Sequence, residues 1–81
     1  MAFYWRHAKT GQEVDLVLAD TENRMVGIEV KNSMRVSHAD AKNLVAFGES
    51  FELAKGYVVY PGTKIVRLAE DCWALPAAAL G

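Results

Sequence analysis

Two carboxylates and a lysine are the residues in this sequence best suited to chemistry. Asp15 lies in an apolar segment after Val14, and Glu29 and Lys31 flank Val30 in the next apolar segment. If residues 21–23 form the loop of a β-hairpin, Asp15 lies opposite Glu29 on the neighbouring strand. Because like charges that face each other across a ladder are destabilising, such a pair needs a cation between its members or a proton on one of them.

A divalent cation such as Mg²⁺ suits this pair, because Mg²⁺ binds through one or two carboxylates and keeps several water ligands. Lys31 would then orient or activate a water, or stabilise negative charge on a phosphodiester under attack. Glu13 falls opposite Lys31 in the same hairpin, so it is either a further metal ligand or an ion-pair partner of Lys31. The alternative is that these four charged residues lie on a solvated face of the sheet. Each cross-strand pair of opposite charges would then contribute roughly 0.2–1 kcal/mol to stability.

The spacing of Asp15 and Glu29-x-Lys31 resembles the PD-(D/E)XK nuclease motif, with Val14 in place of the leading proline. The surrounding pattern is more specific than the motif. An aromatic segment ending in Arg6, then Gly11, E-V-D-L-V-L and G-I-E-V-K-N-S, is similar to a C-terminal domain of many prokaryotic AAA+ ATPases. That family is catalogued as domain of unknown function 4143, and the resemblance covers nearly the whole chain.

The resemblance implies an α/β (α+β) fold of the restriction-endonuclease type. Its mixed sheet would comprise a three-stranded meander, a helix and further strands, without the helix that usually precedes the first strand. It also implies Mg²⁺-dependent hydrolysis of phosphodiesters in DNA or RNA. Asp15, Glu29 and Lys31 would be catalytic, and Asp15, Glu29 and Glu13 would be the metal ligands.

A non-catalytic function on the same fold is the alternative. The chain would then be a protein-interaction, regulatory or oligomerisation module with a degenerate nuclease site. Its partner would be the N-terminal ATPase region of its own parent protein or a second copy in a homo-oligomer. The 52% hydrophobic content is high for a chain of 81 residues and is compatible with an apolar surface meant for such a partner.

Length, charge and cysteine content limit the classes of protein further. We expect one domain over residues 1–81, as a C-terminal fragment of a longer ATPase-type protein. The net charge of −1 shows no basic footprint of a free-standing nucleic-acid binder. The single cysteine excludes an internal disulfide and a cysteine-based zinc site, which fits a cytoplasmic setting. No apolar run approaches the roughly 20 residues that cross a bilayer, so we expect no membrane partner.

Periodicity and turn signals predict the elements that position these residues. Ser37 is a good N-cap, with Asp40 in the position of a capping box, for a helix over residues 38–51. Besides the hairpin, we predict strands at Phe3–His7, Gly56–Tyr60 and Thr63–Leu68 and a short edge strand at Trp73–Leu75. A last helical turn is predicted to open at Pro76 and to run through Ala79. The strand after the helix could run parallel to an earlier one, since a helical crossover connects them.

Alternation along the strands predicts which side chains are buried. Val14, Leu16 and Leu18 are expected to share a core face with Val26, Ile28 and Val30, whereas the charged residues point to the other face. On the helix, the predicted buried stripe comprises Ala41, Leu44, Val45, Phe47, Gly48 and Phe51. Asp40 and Asn43 are expected on the solvated side of the helix, and the alternative is that they face the acidic pocket of the sheet. His7 and His38 are expected at the surface.

Overall fold

The computed structural model describes residues 2–6, 13–19, 22, 24–50 and 53–80. It gives only the backbone for seven of these residues, namely Arg6, Glu13, Ser50, Leu53, Ala54, Ala79 and Leu80. The described strands are β1 (Ala2–Arg6), β2 (Glu13–Ala19), β3 (Met25–Val30), β4 (Leu53–Tyr60), β5 (Val66–Ala69) and β6 (Cys72–Pro76). A first 3-10 helix (His38–Ala41) runs into α1 (Lys42–Ser50), and a second 3-10 helix (Ala77–Leu80) follows β6. Within these ranges, no helix has the length and apolar character to cross a membrane.

The six strands form one mixed sheet in the order β1-β2-β3-β4-β6-β5. Strands β1, β2 and β3 make the predicted antiparallel meander. Strand β4 lies parallel to β3, as the helical crossover between them suggested. Strand β6 is parallel to β4, and β5 pairs with β6 in the antiparallel direction. The mixed α/β architecture is thereby confirmed.

Strand β6 differs from its predicted form. It is five residues long and lies between β4 and β5, so it is an inner strand and not an edge. The sequence signal was weak because alanine and proline are poor strand formers, yet Cys72, Ala74 and Pro76 alternate as its buried positions. Strand β5 in turn begins only at Val66, because residues 61–64 form a bend in which the Tyr60 hydroxyl donates to the Lys64 carbonyl over 2.5 Å.

The hydrophobic core lies between the sheet and α1. From the helical segment it takes Ala41, Leu44 and Phe47, and from the strands Val14, Val17, Val58, Tyr60, Leu68, Cys72 and Ala74. Phe47 also meets Trp5 of β1 edge to face, with 5.1 Å between the ring centroids. Val45 and Gly48 were predicted in the buried stripe but are exposed, because a helix of nine residues presents only a narrow stripe to the sheet. Phe51, the last member of that stripe, lies outside the described residues.

Leu16 and Leu18 share one face of the hairpin with Val26, Ile28 and Val30, as predicted. The prediction was wrong in taking this face as the core, because the buried residues lie on the other one. Val14 lies on that other face because β2 carries a β-bulge. Phe3 pairs with Val17 and Trp5 with Val14, so that β1 places one residue against two on β2. An extra residue in one strand changes the side to which the following side chains point. Val14 and Val17 are therefore both buried, whereas Leu16 and Leu18 are 38% and 41% exposed.

Strand β3 follows the same corrected pattern. Gly27 is buried and Glu29 is half-buried on the side that α1 covers, whereas Val30 on the opposite side is 69% exposed. The helix-covered face therefore includes Glu29 and Lys31, which were predicted to point away from the core.

The sheet consequently has a second, apolar side, which we call the open face. Residues paired in register share a side, which assigns Ile28, Tyr57 and Trp73 to one row across β3, β4 and β6, and Val30, Val59 and Leu75 to the next. The open face comprises ten apolar or aromatic side chains, namely Tyr4, Leu16, Leu18, Val26, Ile28, Val30, Tyr57, Val59, Trp73 and Leu75. The core contacts of α1 are on the other side of the sheet.

Gly56 of β4 is required by close packing under α1. A Cβ at this position would lie 2.9 Å from Cys72 Sγ and 3.2 Å from Leu44 Cδ1. We expect Gly56→Ala to lower the free energy of unfolding by about 1–3 kcal/mol in urea denaturation, because overpacking forces neighbours out of place. Gly48→Ala, at an exposed position of α1, is the control, and it should gain up to about 1 kcal/mol. Wild-type stability in Gly56→Ala would contradict the packing described here.

Candidate functional site

The site is built where β2 and β3 end their regular pairing. The pairs from Leu16 with Ile28 to Ala19 with Met25 have the predicted register. Before Leu16, a side-chain contact joins the two strands: Asp15 Oδ2 accepts a hydrogen bond of 2.8 Å from the backbone N–H of Val30. Val30 separates Glu29 from Lys31 in the sequence, so the structure brings the three predicted catalytic residues to the same end of the hairpin.

Lys31 is held between the sheet and the first 3-10 helix. Its backbone N–H donates to the Val59 carbonyl of β4 over 2.8 Å. Its ammonium Nζ lies 2.5 Å from Oδ1 of Asp40, and the two side chains are only 29% and 20% exposed. The expectation that Asp40 faces solvent was therefore wrong, because the 3-10 helix directs this carboxylate towards the end of β3.

Asp40 is also tied to the start of its own helix. Its Oδ2 accepts the N–H of Ser37 over 2.7 Å, and the Ser37 carbonyl accepts the N–H of Asp40 over 3.0 Å. Ser37 is the N-cap, as predicted. Burial raises the pKa of the Asp40 carboxyl, but the hydrogen bonds from Lys31 and Ser37 outweigh it, so the net pKa lies below its usual value.

Glu29 contacts the first turn of α1. Asn43 Nδ2 donates to Glu29 Oε1 over 3.1 Å. Asn43 was also expected on the solvated side, and the pattern of apolar residues alone did not show that it faces the sheet. The capping-box spacing of Ser37 and Asp40 was the one signal that singled out this end of the helix. The hydrogen bond fixes the direction of one oxygen of Glu29.

Three further residues of the prediction have different outcomes. The backbone of Glu13 belongs to β2 and pairs with Arg6 of β1, but its side chain lies outside the described part, so both of its suggested roles stay predictions. His38 is exposed, as expected, and its Nδ1 hydrogen-bonds the Leu68 carbonyl, which joins the first 3-10 helix to β5. His7 lies outside the described residues.

The donor set at this site suits a hard cation with few protein ligands. Among the side chains that are described, no group of three or more His, Cys, Asp or Glu could hold a metal ion. Asp15 and Glu29 are the two carboxylates at this end of the hairpin, and Mg²⁺ commonly binds proteins through one or two carboxylates. A carboxylate has about four acceptor positions, and the Val30 N–H takes one of those of Asp15.

The ion pair between Asp40 and Lys31 leads to a prediction about pH. Because the folded-state pKa of Asp40 is lowered, its contribution to stability is present at neutral pH and is lost as the pH falls through the folded-state value. We expect Asp40→Asn to lower the free energy of unfolding by about 1–2 kcal/mol at pH 7. This difference from the wild type should begin to shrink below about pH 4, the usual aspartate value. It should be lost at a pH below the lowered folded-state pKa, where the wild-type carboxyl is protonated. Urea denaturation at both pH values measures it.

Asp71→Asn is the matched control for that experiment. The Asp71 carboxylate lies 3.5 Å from Lys55 Nζ, and both side chains are about half exposed. Exposed ion pairs contribute at most about 1 kcal/mol, so this variant should change stability less than Asp40→Asn does. If Asp40→Asn lost the same free energy of unfolding at both pH values, its effect would not come from the ion pair with Lys31.

Comparison with known proteins gives a family for this arrangement of residues. Searches of curated proteins and of solved structures found no match. A family model described as a domain of unknown function matches residues 1–80, which include every described residue of the site. The chain therefore belongs to the DUF4143 family.

Proposed function

We propose that the chain is a metal-dependent phosphodiesterase of the PD-(D/E)XK type, with a restriction-endonuclease-like fold and DNA or RNA as substrate. One observation carries the proposal. The Asp15 carboxylate hydrogen-bonds the N–H of Val30, the residue between Glu29 and Lys31. An acid of one strand thus lies beside the backbone of an acid-x-lysine segment of the next, which supports the arrangement expected for hydrolysis of a phosphodiester.

Asp15 and Glu29 would hold the metal ion, with Glu13 as a further candidate ligand. When bound, Mg²⁺ supplies positive charge that stabilises the phosphate under attack and favours deprotonation of a water. Both carboxylates would be oriented before a metal ion binds, since the Val30 N–H donates to Asp15 and the Asn43 amide donates to Glu29. Such hydrogen bonds to ligand groups commonly affect metal affinity by about 10–100-fold.

Lys31 would act on the substrate. Its ammonium can orient the attacking water or stabilise negative charge on the phosphate. The contact with Asp40 restricts the flexible lysine side chain to one region, which lowers the entropy lost when it takes part in a reaction. Asp40 is a positioning residue in this proposal, because it acts through Lys31.

The resemblance to a C-terminal domain of AAA+ ATPases suggests a setting for this activity. The domain would belong to a cytoplasmic AAA+ ATPase-type protein, and its ATPase region would be a partner. No membrane partner is proposed. The single cysteine, Cys72, is buried and free, as a reducing compartment allows.

A second candidate function is an interaction module with a degenerate nuclease site. It is favoured by the contacts that Lys31 and Glu29 already make within the chain, with Asp40 and Asn43. These bonds join β3 to the helical segment and would stabilise the fold without any ligand. In this case the end of the hairpin is structural, and the partner binds elsewhere.

A cleavage assay separates the two functions. The chain is incubated with single-stranded and double-stranded DNA and RNA, at concentrations up to one equivalent of protein, with Mg²⁺ or Mn²⁺. We expect cleavage that stops when EDTA is added and resumes when the metal is restored. Cleavage that continues in the presence of EDTA, or the absence of cleavage on all four substrates, would overturn the nuclease proposal and favour the interaction module.

A further inference from the structure

The edge of the sheet where β3 and β4 end, which we call the carboxyl edge, carries basic side chains beside the proposed site. It comprises the loop of residues 31–37 after β3, the start of α1 and the bend of residues 61–65 after β4. Because Lys31 donates its backbone N–H to the Val59 carbonyl of β4, the two strands end side by side. In open sheets with parallel strands, ligands generally bind outside the carboxyl ends of the strands.

The loop after β3 is closed at its base next to the site. Lys31 contacts Asp40, and Asp40 in turn accepts the backbone N–H of Ser37, so the first and last residues of the loop are joined through one carboxylate. Inside the loop, the backbone N–H of Arg35 donates to Ser33 Oγ over 3.2 Å, whereas the Arg35 side chain is exposed. The loop therefore holds the backbone of Arg35 and presents its guanidinium to solvent.

The bend after β4 holds a second basic residue in the same way. The Tyr60 hydroxyl, on a side chain only 4% exposed, donates to the Lys64 carbonyl and accepts the Lys64 N–H over 3.3 Å. A Cβ at Gly62 would lie 2.0 Å from Tyr60 Cε2, so the bend passes closely over this ring. The Lys64 side chain is exposed. A backbone that is fixed in advance lowers the cost of ordering when a side chain binds a ligand.

The cations of the carboxyl edge also differ from the others in their contacts. Arg35, Lys42 and Lys64 are exposed, and none of them makes an ion pair or a ring contact with another described residue. Lys42 lies at the start of α1, directly before Asn43, which contacts Glu29. The other Lys and Arg side chains that the structure describes contact an acid or the Trp73 ring. Three positive charges thus stay available around the proposed site.

Acidic side chains have the opposite distribution. The described acids outside the proposed site all lie near the starts of the parallel strands, namely Glu22 before β3, Glu49 in the last turn of α1, and Glu70 and Asp71 before β6. The carboxylates at the carboxyl edge are each hydrogen-bonded within the chain. The net charge of −1 therefore conceals a separation of charge along the strands. A local basic surface of this kind attracts a polyanion even when the whole chain is close to neutral.

We propose that the carboxyl edge binds the sugar-phosphate backbone of a nucleic acid through Arg35, Lys42 and Lys64. The inference rests on the proposed function for the class of polymer, and it adds the residues that hold the polymer and a binding step that needs no metal ion. An arginine contacts a phosphate through paired N–H donors, and a lysine ammonium contacts it as a point charge. Contacts to phosphate position a strand without reading its sequence, so we expect no preference among bases.

Fluorescence anisotropy of the whole chain with labelled single-stranded and double-stranded DNA and RNA, in EDTA and over a series of salt concentrations, tests the proposal. Each phosphate that a cation neutralises contributes about 0.7–0.9 to the slope of log affinity against log salt. Arg35→Gln and Lys64→Gln should each reduce the slope by this amount and weaken binding about 5-fold at about 0.1 M salt. The double variant should weaken binding about 30-fold.

Arg24→Gln is the matched control. It removes one positive charge directly before β3, at the opposite end of the sheet, from an ion pair whose side chains are 60% and 71% exposed. This variant should bind nucleic acid like the wild type. Circular dichroism of each variant establishes that a loss of binding is not a loss of folding.

The outcomes separate this proposal from the proposed cleavage, because EDTA removes the metal ion from the binding experiment. No binding by the wild type overturns the proposal, and so does an equal loss of affinity in Arg24→Gln and in the carboxyl-edge variants. Tighter binding of polyglutamate than of DNA and RNA would identify a site for acidic proteins and would also overturn it. Binding that needs Arg35 and Lys64 in a chain that never cleaves would support the proposal and overturn the nuclease. Cleavage with an unchanged KM in the double variant would do the reverse.

Discussion

Asp15→Asn is expected to weaken Mg²⁺ binding by more than about 100-fold and to abolish cleavage. The loss of a ligand should exceed the 10–100-fold effect of losing a hydrogen-bond partner of a ligand. Asparagine has nearly the same shape as aspartate and can still accept the N–H of Val30, so the hairpin should stay intact. Calorimetric titration of wild type and variant with Mg²⁺ and Mn²⁺ measures the binding, and the cleavage assay measures the activity.

Two variants make that experiment specific. Asp71→Asn removes one negative charge at the turn between β5 and β6, where the positive φ of 60° at Asp71 is well tolerated by asparagine. This control should bind metal and cleave like the wild type. Lys31→Ala should keep Mg²⁺ binding and lose cleavage, because Lys31 acts on substrate and is not a ligand. Full cleavage by Asp15→Asn, or unchanged Mg²⁺ affinity, would end the proposal that this carboxylate holds the metal.

Phe47→Ala is expected to lower the free energy of unfolding by about 3–5 kcal/mol, the usual effect of truncating a buried aromatic residue. Phe47 is fully buried between α1 and the sheet and meets Trp5 edge to face. For a chain of 81 residues, the total stability is expected to be about 4–12 kcal/mol. The variant should therefore be close to unfolded at 37 °C, and urea denaturation followed by circular dichroism measures the change.

Val45→Ala in the same helix is the control for that loss. Its side chain is exposed, so its truncation should change the free energy of unfolding by no more than about 0.5 kcal/mol. If Phe47→Ala changed stability by less than about 1 kcal/mol, α1 would not pack on the sheet through this residue. Equal losses in the two variants would indicate that the helix faces the sheet through a different stripe.

Elements that depend on neighbouring residues were predictable from the sequence. The hairpin register follows from the length of its loop, and the observed pairing of Leu16 with Ile28 agrees with it. The helix begins after Ser37 because capping is a local interaction, although its first turn is a 3-10 helix. The parallel position of β4 follows from the helical crossover that precedes it.

The faces of the strands could not be read in the same way. Period-two alternation assumes a regular ladder, and the bulge in β2 shifts the alternation before Leu16. The bulge arises from the pairing of β2 with β1, and no residue type in β2 indicates its position. Strand β6 was predicted only as a short edge strand for a similar reason. Its stability comes from its position between β4 and β5, and its own strand propensity is low.

The sequence by itself determined which residues can do chemistry in this protein, because the types and spacing of Asp15, Glu29 and Lys31 are properties of the chain. It also determined that Asp15 and Glu29 lie on adjacent strands. Only the tertiary structure decided that Asp40 pairs with Lys31, that Asn43 holds Glu29, and that one side of the sheet is open. The physical reason is that these contacts join segments that a crossover and a bulge orient, and local periodicity carries no information about either.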